Sequence, residues 1–494
     1  MKNNICFKRI FYVFILSVAL NCFAETADLT EPMKESLVYL DISTTTYDQS
    51  QPWKQTPVSK DSGFGCAVGP YEVLTTAENV RDISFLQART YGSNAYIPAT
   101  VKTVDYELNL CLVELDKNAM DAPLTPLSFS VSYPKSKQLT TYWLSSDNHL
   151  TTARSTLDRA EMQNSDISFV KNLTYFATNV SRPFGDGEVC CDESDVIGMA
   201  CWGTDSDSGI IPSETINNFL SHCKKKTYSG FAAPGFKTYS LLNPTMRAYL
   251  KMPAEIKNGV YVSTVYSIGT GSEELRQGDV ILSINGWQLN SYGRYEHPDY
   301  KFISFEHILS KTPAGDKIPF EIFRDGKKIK IDVIAKVIES DNMLVPYYGY
   351  GKQPEFIVAG GFVLQKLTRD YLAMRGSDWS RMAPPHLYRY YSEMSFMPSD
   401  KRKDIVILSY VLPIEMNLGY HQLSGLVVDS INGTKISTLV DVGNIIKAQD
   451  DSKNIEISFE MDNPDVIIPR QQLNTANRQV SQLYGIQQMA NINN

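Results

Sequence analysis

The sequence of 494 residues is poor in histidine, carries no CxxC pair, and has no apolar run long enough to span a membrane. A spanning helix needs about 20 apolar residues, and the apolar run Ile10–Leu20 is about half that length. The absence of CxxC pairs with partner ligands argues against a zinc site, and we expect neither a metal nor a cofactor. The six histidines begin at His149, so the first 148 residues contain none.

The N-terminal segment has the pattern of a secretory signal peptide. Lys2, Lys8 and Arg9 lie before or at the start of the apolar run, and the small residue Ala24 closes it. A basic stretch, a short apolar run and a small residue at the end are typical of such peptides. We therefore expect residues 1–24 to be a signal peptide and the protein to be periplasmic or secreted, with an uncleaved anchor as the alternative.

Charge and cysteine content narrow the classes of partner. The formal net charge is −8. An acidic protein is repelled by the negative phosphates of nucleic acid and does not release their counterions, so nucleic acid is not expected as a partner. Cys66 and Cys111 lie in apolar, strand-like runs and are expected to be buried thiols. An oxidising compartment leaves disulfides possible among the other four. Those four are Cys190, Cys191, Cys201 and Cys223.

Short apolar runs broken by turn residues occupy residues 36–211. Strand-sized runs at this spacing favour a β-barrel or sandwich. A helix is predicted to follow, with Ser213 as N-cap and Ile216, Phe219 and Leu220 at helical spacing.

Two later units share one order of strand, turn, helix and strand. The first contains "GDVILSINGWQL" (Gly278–Leu289) and the second "GLVVDSINGTKIS" (Gly425–Ser437), so both carry "ING". A shared order around a shared motif indicates an internal repeat. Asp325-Gly326 predicts a tight hairpin in the first unit. The tail, residues 471–494, is polar and partly helical, and it either packs on the last unit or frays.

Taken in order, these segments resemble the Deg/HtrA protease family, in particular its plant-type branch with two PDZ modules. "SGFGCAVGPYEVLTTAENV" is similar to the family's "GSGF…VLTNAHSV", "LNLCLVEL" to its "DIALL", and "FGDGEVC" to its "GNSGGP". The resemblance implies a mainly β fold with some α: a chymotrypsin-like double β-barrel followed by two PDZ-like α+β modules. The implied units are a signal peptide (1–24), a degenerate trypsin-like protease domain (25–223), a first PDZ-like module (227–340), a second PDZ-like module (345–470) and a C-terminal tail (471–494).

The resemblance places the three catalytic groups at positions that have lost them. A serine protease needs a serine nucleophile, a histidine base and a carboxylate that orients the base. The histidine position is Glu78, the aspartate position is Asn109, and the serine position is Gly187. Since no histidine precedes His149, no shift of the alignment restores the base.

The loop around the lost serine raises two further expectations. Gly185 is retained and is predicted to keep part of a backbone oxyanion pocket. Glu188 and Val189 are predicted to obstruct a substrate carbonyl by their bulk and charge. Cys190 and Cys191 are the alternative nucleophiles, because a thiolate is intrinsically nucleophilic.

The resemblance also implies peptide binding by the two modules. A PDZ module adds an extended peptide to a strand, and backbone amides of a glycine-containing loop hold its C-terminal carboxylate. Pro234 removes one such donor from the first loop, and a groove closed by the chain itself is the alternative for each module. The implied contact residues are Gly235, Phe236 and Lys237 in the first module and Gly360, Gly361, Phe362 and Val363 in the second. Groove-lining helices are expected over Ile303–Lys311 and Leu439–Ala448.

The sequence thus predicts an exported, non-catalytic scaffold that binds polypeptides or protein C-termini as a chaperone or regulator. The resemblance implies a homo-oligomer built from trimers. The alternative is an active endopeptidase of unfolded proteins that uses a non-standard nucleophile.

Overall fold

The structure, a computed structural model, describes residues 29–448 and 454–492. The predicted signal peptide, residues 1–24, lies outside the described residues. Across the described ranges, no helix is both long and apolar enough to cross a membrane.

The first six strands close into a barrel in the order β1-β2-β3-β6-β5-β4. Along β1, inward side chains such as Val38, Leu40 and Ile42 are buried and alternate with half-buried ones, as a half-exposed strand requires. Helix α1 (Thr30–Ser36) precedes the barrel. The strands are β1 (Leu37–Thr44), β2 (Ser59–Gly69), β3 (Glu72–Thr75), β4 (Ile83–Thr90), β5 (Ile97–Asp105) and β6 (Leu110–Leu115).

The next six strands form a second closed barrel, in the order β10-β11-β12-β9-β8-β7. They are β7 (Gln138–Leu144), β8 (Leu150–Asn164), β9 (Lys171–Asn179), β10 (Val189–Asp192), β11 (Asp195–Gly203) and β12 (Asp207–Pro212). Helix α2 (Ser213–Cys223) ends the barrel and buries Ile216 and Phe219. The predicted N-cap was wrong: the extended residue Pro212 is the cap, and Ser213 is already helical.

The first PDZ-like module is a sheet in the order β13-β14-β15-β19-β20. The turn at Asp325-Gly326 has positive φ at both residues, 49° and 81°, which confirms the predicted hairpin. The predicted helix Ile303–Lys311 was too long, because Ile303 belongs to a hairpin strand. The elements are β13 (Phe236–Ser240), α3 (Pro244–Tyr249), β14 (Val260–Val265), β15 (Val280–Ile284), β16 (Trp287–Gln288), β17 (Arg294–His297), β18 (Lys301–Ser304), α4 (Glu306–Ser310), β19 (Lys317–Arg324) and β20 (Lys327–Ile334).

The second module is built on a sheet in the order β27-β26-β24-β23-β22-β21-β28. Its strands are β21 (Phe356–Ala359), β22 (Phe362–Lys366), β23 (Val406–Val411), β24 (Leu426–Ile431), β25 (Thr434–Lys435), β26 (Ile455–Phe459), β27 (Val466–Ile468) and β28 (Ala490–Asn491). Its helices are α5 (Arg369–Ala373), α6 (Trp379–Met382), α7 (Pro385–Arg389), α8 (Leu439–Lys447) and α9 (Arg470–Tyr484). Helix α8 matches the prediction, and Thr438 caps it by accepting from the N–H of Asp441.

The polar tail packs on the second module instead of fraying. Helix α9 buries Leu473, Ala476 and Val480, which repeat at helical spacing. Strand β28 then pairs with β21 at the edge of the sheet. The tail therefore contributes both a helix and a strand to the last unit.

Every cysteine in the described part of the chain is a free thiol. Cys66 and Cys111 are buried, as predicted. The structure forms none of the disulfides that the sequence left open for the other four described cysteines.

Candidate functional site

Glu78, the predicted base position, follows β3 and contacts Asn109, the predicted orienting position, which directly precedes β6. Glu78 begins a 3₁₀ turn after β3, and its backbone N–H donates to Oδ1 of Asn109 at 3.0 Å. Asn109 is buried and adopts a positive φ of 54°, a conformation that asparagine tolerates better than most residues. The retained contact therefore caps a turn, and it does not join two catalytic side chains.

The carboxyl of Glu78 is exposed and lies among other acids. Partial desolvation raises its pKa, Arg81 opposes that effect, and the charges of Asp166 and Asp186 add to it. Ordinary carboxyl groups are weak bases toward a hydroxyl at neutral pH, and no hydroxyl stands at the nucleophile position to be served.

Gly187, the predicted serine position, has no room for a side chain. Its φ is 102°, in the region that favours glycine. A Cβ placed on it would overlap the carbonyl oxygen of Phe64 and lie 3.1 Å from Nδ2 of Asn79. The N–H of Gly187 donates to the carbonyl of Ala200 at 3.0 Å. The position thus lacks both a nucleophile and a free backbone donor.

Asn79 closes the space between the barrels and was missed by sequence reasoning. Its Nδ2 donates to the carbonyl of Asp186 at 2.7 Å and to the hydroxyl of Thr75 at 2.9 Å. That hydroxyl donates to the carbonyl of Phe64 at 2.7 Å, and the N–H of Phe64 donates to Asp186 at 2.9 Å. Nothing in the sequence marks Asn79 except its place after Glu78.

Glu188 consumes the donors that an oxyanion pocket would need. Its carboxylate oxygen accepts from the N–H of Gly185 at 3.0 Å and of Asp186 at 2.6 Å, and only 2% of the residue is exposed. The expectation that Gly185 keeps part of an oxyanion pocket was therefore wrong. Glu188 and Val189 are both buried, so they do not obstruct a substrate from outside; instead Glu188 fills the pocket from within.

Burial raises the pKa of Glu188 to about 7, and the charge of Asp186 adds to the effect. The carboxyl therefore holds a proton in the folded protein over a pH range where the unfolded chain, with a pKa near 4.5, has lost it. Because the folded state binds more protons there, the free energy of unfolding falls as pH rises from about 4.5 to about 7 and then levels off.

We expect Glu188→Gln to remove this loss. Relative to the variant, the wild type should lose about 3 kcal/mol of unfolding free energy between pH 4.5 and pH 8. Urea unfolding of both proteins at several pH values measures the difference. A constant difference between the two proteins across that range would contradict the assignment.

The alternative nucleophiles, Cys190 and Cys191, lie on β10 and are fully buried. The Cys190 thiol contacts the hydroxyl of Thr141 at 3.4 Å. Burial raises the pKa of both thiols, which disfavours the nucleophilic thiolate. Neither thiol is placed to attack a polypeptide.

A segment at the start of the second module, residues 348–351, packs against the barrels. The ring of Tyr350 stacks on Tyr106, with centroids 3.6 Å apart and an interplanar angle of 2°, and its hydroxyl donates to the carbonyl of Ile167 at 2.8 Å. The hydroxyl of Tyr348 donates to the carbonyl of Asp166. The start of the second module thus contacts both barrels, at Tyr106 in the first and at Ile167 in the second.

In the first module, the predicted carboxylate-binding loop bonds to its own chain. The N–H of Gly235 donates to the carbonyl of Thr270 at 2.8 Å, and the N–H of Ala233 donates to Lys336 at 2.9 Å. Pro234 has no N–H to offer. The predicted role of Gly235 as a carboxylate donor was therefore wrong.

In the second module, the chain itself fills the predicted groove. Strand β22, which holds Phe362 and Val363, pairs with β23 on one side and antiparallel with β21 on the other, so no edge is left for a ligand. The N–H of Gly360 donates to Oδ1 of Asn477 on α9 at 2.7 Å. Both loop glycines, Gly360 and Gly361, are buried. The chain's own β21 and α9 therefore lie where a peptide was predicted to contact Gly360, Gly361, Phe362 and Val363.

Within the described ranges, no group of three or more His, Cys, Asp or Glu side chains is arranged to hold a metal ion. The side chains of Asn79, Asn109 and Glu188 instead form hydrogen bonds within the protein.

A sequence model of the PDZ domain matches residues 345–491. The chain is 23% identical over 450 residues to "Putative protease Do-like 12, mitochondrial" of Arabidopsis thaliana, which covers 87% of this chain and 82% of that protein. It is 26% identical over 452 residues to "Protease Do-like 2, chloroplastic" of the same species, with 89% and 72% covered. Among solved structures it is similar to "HtrA-type protease AlgW with decapeptide", at 15% identity and a TM-score of 0.48, covering 64% of this chain and 99% of that one.

Proposed function

This chain belongs to the Deg/HtrA family of Do-like proteases, and on that premise we propose that it is a member without proteolytic activity. In this proposal the protein is an exported scaffold that binds polypeptides and acts as a chaperone or as a regulator of active relatives. Export rests on the N-terminal sequence pattern, and assembly into trimers rests on the family resemblance.

The observation that carries the proposal is the closed nucleophile loop. Gly187 has no space for a side chain, and the carboxylate of Glu188 occupies the N–H groups of Gly185 and Asp186. Acyl transfer needs a nucleophile, a base and donors for the oxyanion. All three requirements are unmet at the same place, while the two barrels around it are complete.

Polypeptide binding is supported by the modules that follow the barrels. The PDZ match over residues 345–491 and the sheet order of the first module indicate a fold that recognises extended chains by strand addition. Since the groove of the second module is filled by β21, the proposal assigns binding to the first module.

We expect the purified full chain to leave β-casein intact during an overnight incubation, because no activated nucleophile faces solvent. Gel electrophoresis and mass spectrometry of the casein measure the outcome. Cleavage that disappears in Cys190→Ala or Cys191→Ala would refute the proposal in favour of a thiol peptidase. Cleavage that persists in both variants and disappears in Glu78→Gln would refute it in favour of a different active group.

A further inference from the structure

The sheet of the first module ends in a strand with one unpaired edge. Among the described strands, β13 (Phe236–Ser240) pairs with β14 alone. Lys237 and Ser240 on this strand are exposed, and Tyr239 is 57% exposed. An unpaired strand edge is a template for the addition of another chain.

The end of this edge lacks two of the backbone donors that a chain terminus would use. A terminal carboxylate needs free N–H groups in the loop before β13, and the N–H of Gly235 is already donated to Thr270. The backbone of Ile268 and Gly269 lies so close to Gly235 that even a Cβ there would be 2.6 Å from the carbonyl oxygen of Ile268. Since Pro234 has no N–H and the N–H of Gly235 is paired, a C-terminal carboxylate would find few donors at this loop.

The apolar space beside the loop is also filled. Phe236 at the start of β13 stacks on Phe305 at the start of α4, with ring centroids 5.7 Å apart and an interplanar angle of 13°. Both residues are 4% exposed. The last side chain of a bound C-terminal peptide would need this space, which Phe236 and Phe305 already fill.

The exposed part of β13 presents a positive charge at Lys237 and an aromatic ring at Tyr239. Nζ of Lys237 lies 5.6 Å from the ring centroid of Tyr239, so the two side chains share one side of the strand. Lys237 forms no salt bridge within the described part of the chain. Leu242 and Tyr249, which follow, are 53% and 79% exposed. The surface suits an extended segment with a carboxylate opposite Lys237 and an apolar side chain opposite Tyr239.

We propose that β13 binds an internal, extended, acidic segment of a partner polypeptide by strand addition, and not a protein C-terminus. The proposal rests on the proposed function of the chain as a polypeptide-binding scaffold, and it specifies the ligand class of the first module. The partner strand pairs with the exposed part of β13 and leaves before the closed loop.

The test uses the full chain and overlapping 12-residue peptides tiled across β-casein, each with a free carboxylate or an amide at its C-terminus. Fluorescence anisotropy gives Kd for each peptide. We expect the two forms of a peptide to bind within about twofold of each other, and acidic peptides to bind best. Lys237→Glu and Tyr239→Ala should each weaken binding about tenfold or more, which corresponds to about 1.4 kcal/mol.

A matched control is Lys328→Glu, which reverses an exposed charge on β20 at the opposite edge of the same sheet and should leave Kd unchanged. Binding that is lost on amidation, or that Lys237→Glu and Tyr239→Ala leave intact, overturns the inference while the scaffold function stands. If no peptide and no intact, unfolded β-casein binds, the proposed function itself fails.

Discussion

Gly187→Ser should destabilise the barrels by about 2–6 kcal/mol and should not produce a protease. A non-glycine residue at a φ of 102° costs about 1–3 kcal/mol in backbone strain. The added Cβ also overlaps the carbonyl oxygen of Phe64, and overpacking of this kind costs a further 1–3 kcal/mol or so. Urea unfolding followed by tryptophan fluorescence measures the loss.

Gly92→Ala is the control for this substitution. Gly92 has a φ of 73°, but nothing lies within 4 Å of a Cβ placed on it. This variant therefore carries the backbone strain without the overlap, and we expect it to lose only the contribution from strain, about 1–3 kcal/mol. If both variants lost the same free energy of unfolding, Gly187 would have room for a side chain after all.

Restoring all three catalytic groups should not restore proteolysis either. In the triple variant Glu78→His, Asn109→Asp and Gly187→Ser, the carboxylate of Glu188 still occupies the donors at Gly185 and Asp186. We expect no casein cleavage above that of the wild type. A protease recovered in this variant would show that the loop rearranges around a new serine.

Glu214→Ala should release the first module from the second barrel. The carboxylate of Glu214, on α2, accepts from three groups of that module: Nε2 of His307 at 3.2 Å, the hydroxyl of Tyr300 at 2.9 Å and Nζ of Lys311 at 3.1 Å. The side chain of His307 is 3% exposed, so removing its partner leaves a buried polar group unsatisfied. We expect the docking equilibrium to weaken by at least about 3 kcal/mol, because three hydrogen bonds to a charged group are lost and each contributes about 1.5–3 kcal/mol.

Limited trypsin digestion measures this release, because the exposed residues Lys224–Lys226 lie between the two units. We expect cleavage there to accelerate about a hundredfold in Glu214→Ala. Lys171→Ala removes a single ion pair of the same interface, with Glu306, and should change the rate little, because exposed pairs contribute about 0–1 kcal/mol. Similar rates for both variants would argue against Glu214 as the principal contact.

Features set by local pattern were predictable from the sequence. The alternation along β1, the turn at Asp325-Gly326 and the apolar face of α8 each follow from a few neighbouring residues. The double barrel and the modules were implied by the resemblance to the Deg/HtrA family. The same resemblance implied that Glu78 and Asn109 lie side by side, because they occupy the positions of the catalytic histidine and aspartate.

Features set by contacts between distant residues were not predictable. Glu188 is charged, so the sequence favoured an outward side chain; its burial depends on two N–H groups whose orientation only the folded loop fixes. In the sequence Asn79 is an ordinary turn asparagine, because the carbonyl of Asp186 that it binds lies more than 100 residues further along the chain. Likewise, the apolar run of β21 indicates a strand but not the partner with which it pairs.

The pairing of β21 with β22 also determines how the second module responds to other polypeptides. The two strands are joined by a turn of only Gly360 and Gly361, so β21 competes with any incoming peptide as a tethered ligand. A short tether gives an effective concentration of roughly millimolar or more. At equal intrinsic affinity, a peptide at about micromolar concentration would replace β21 in only about one molecule in a thousand, so the second module would respond only to ligands near millimolar concentration.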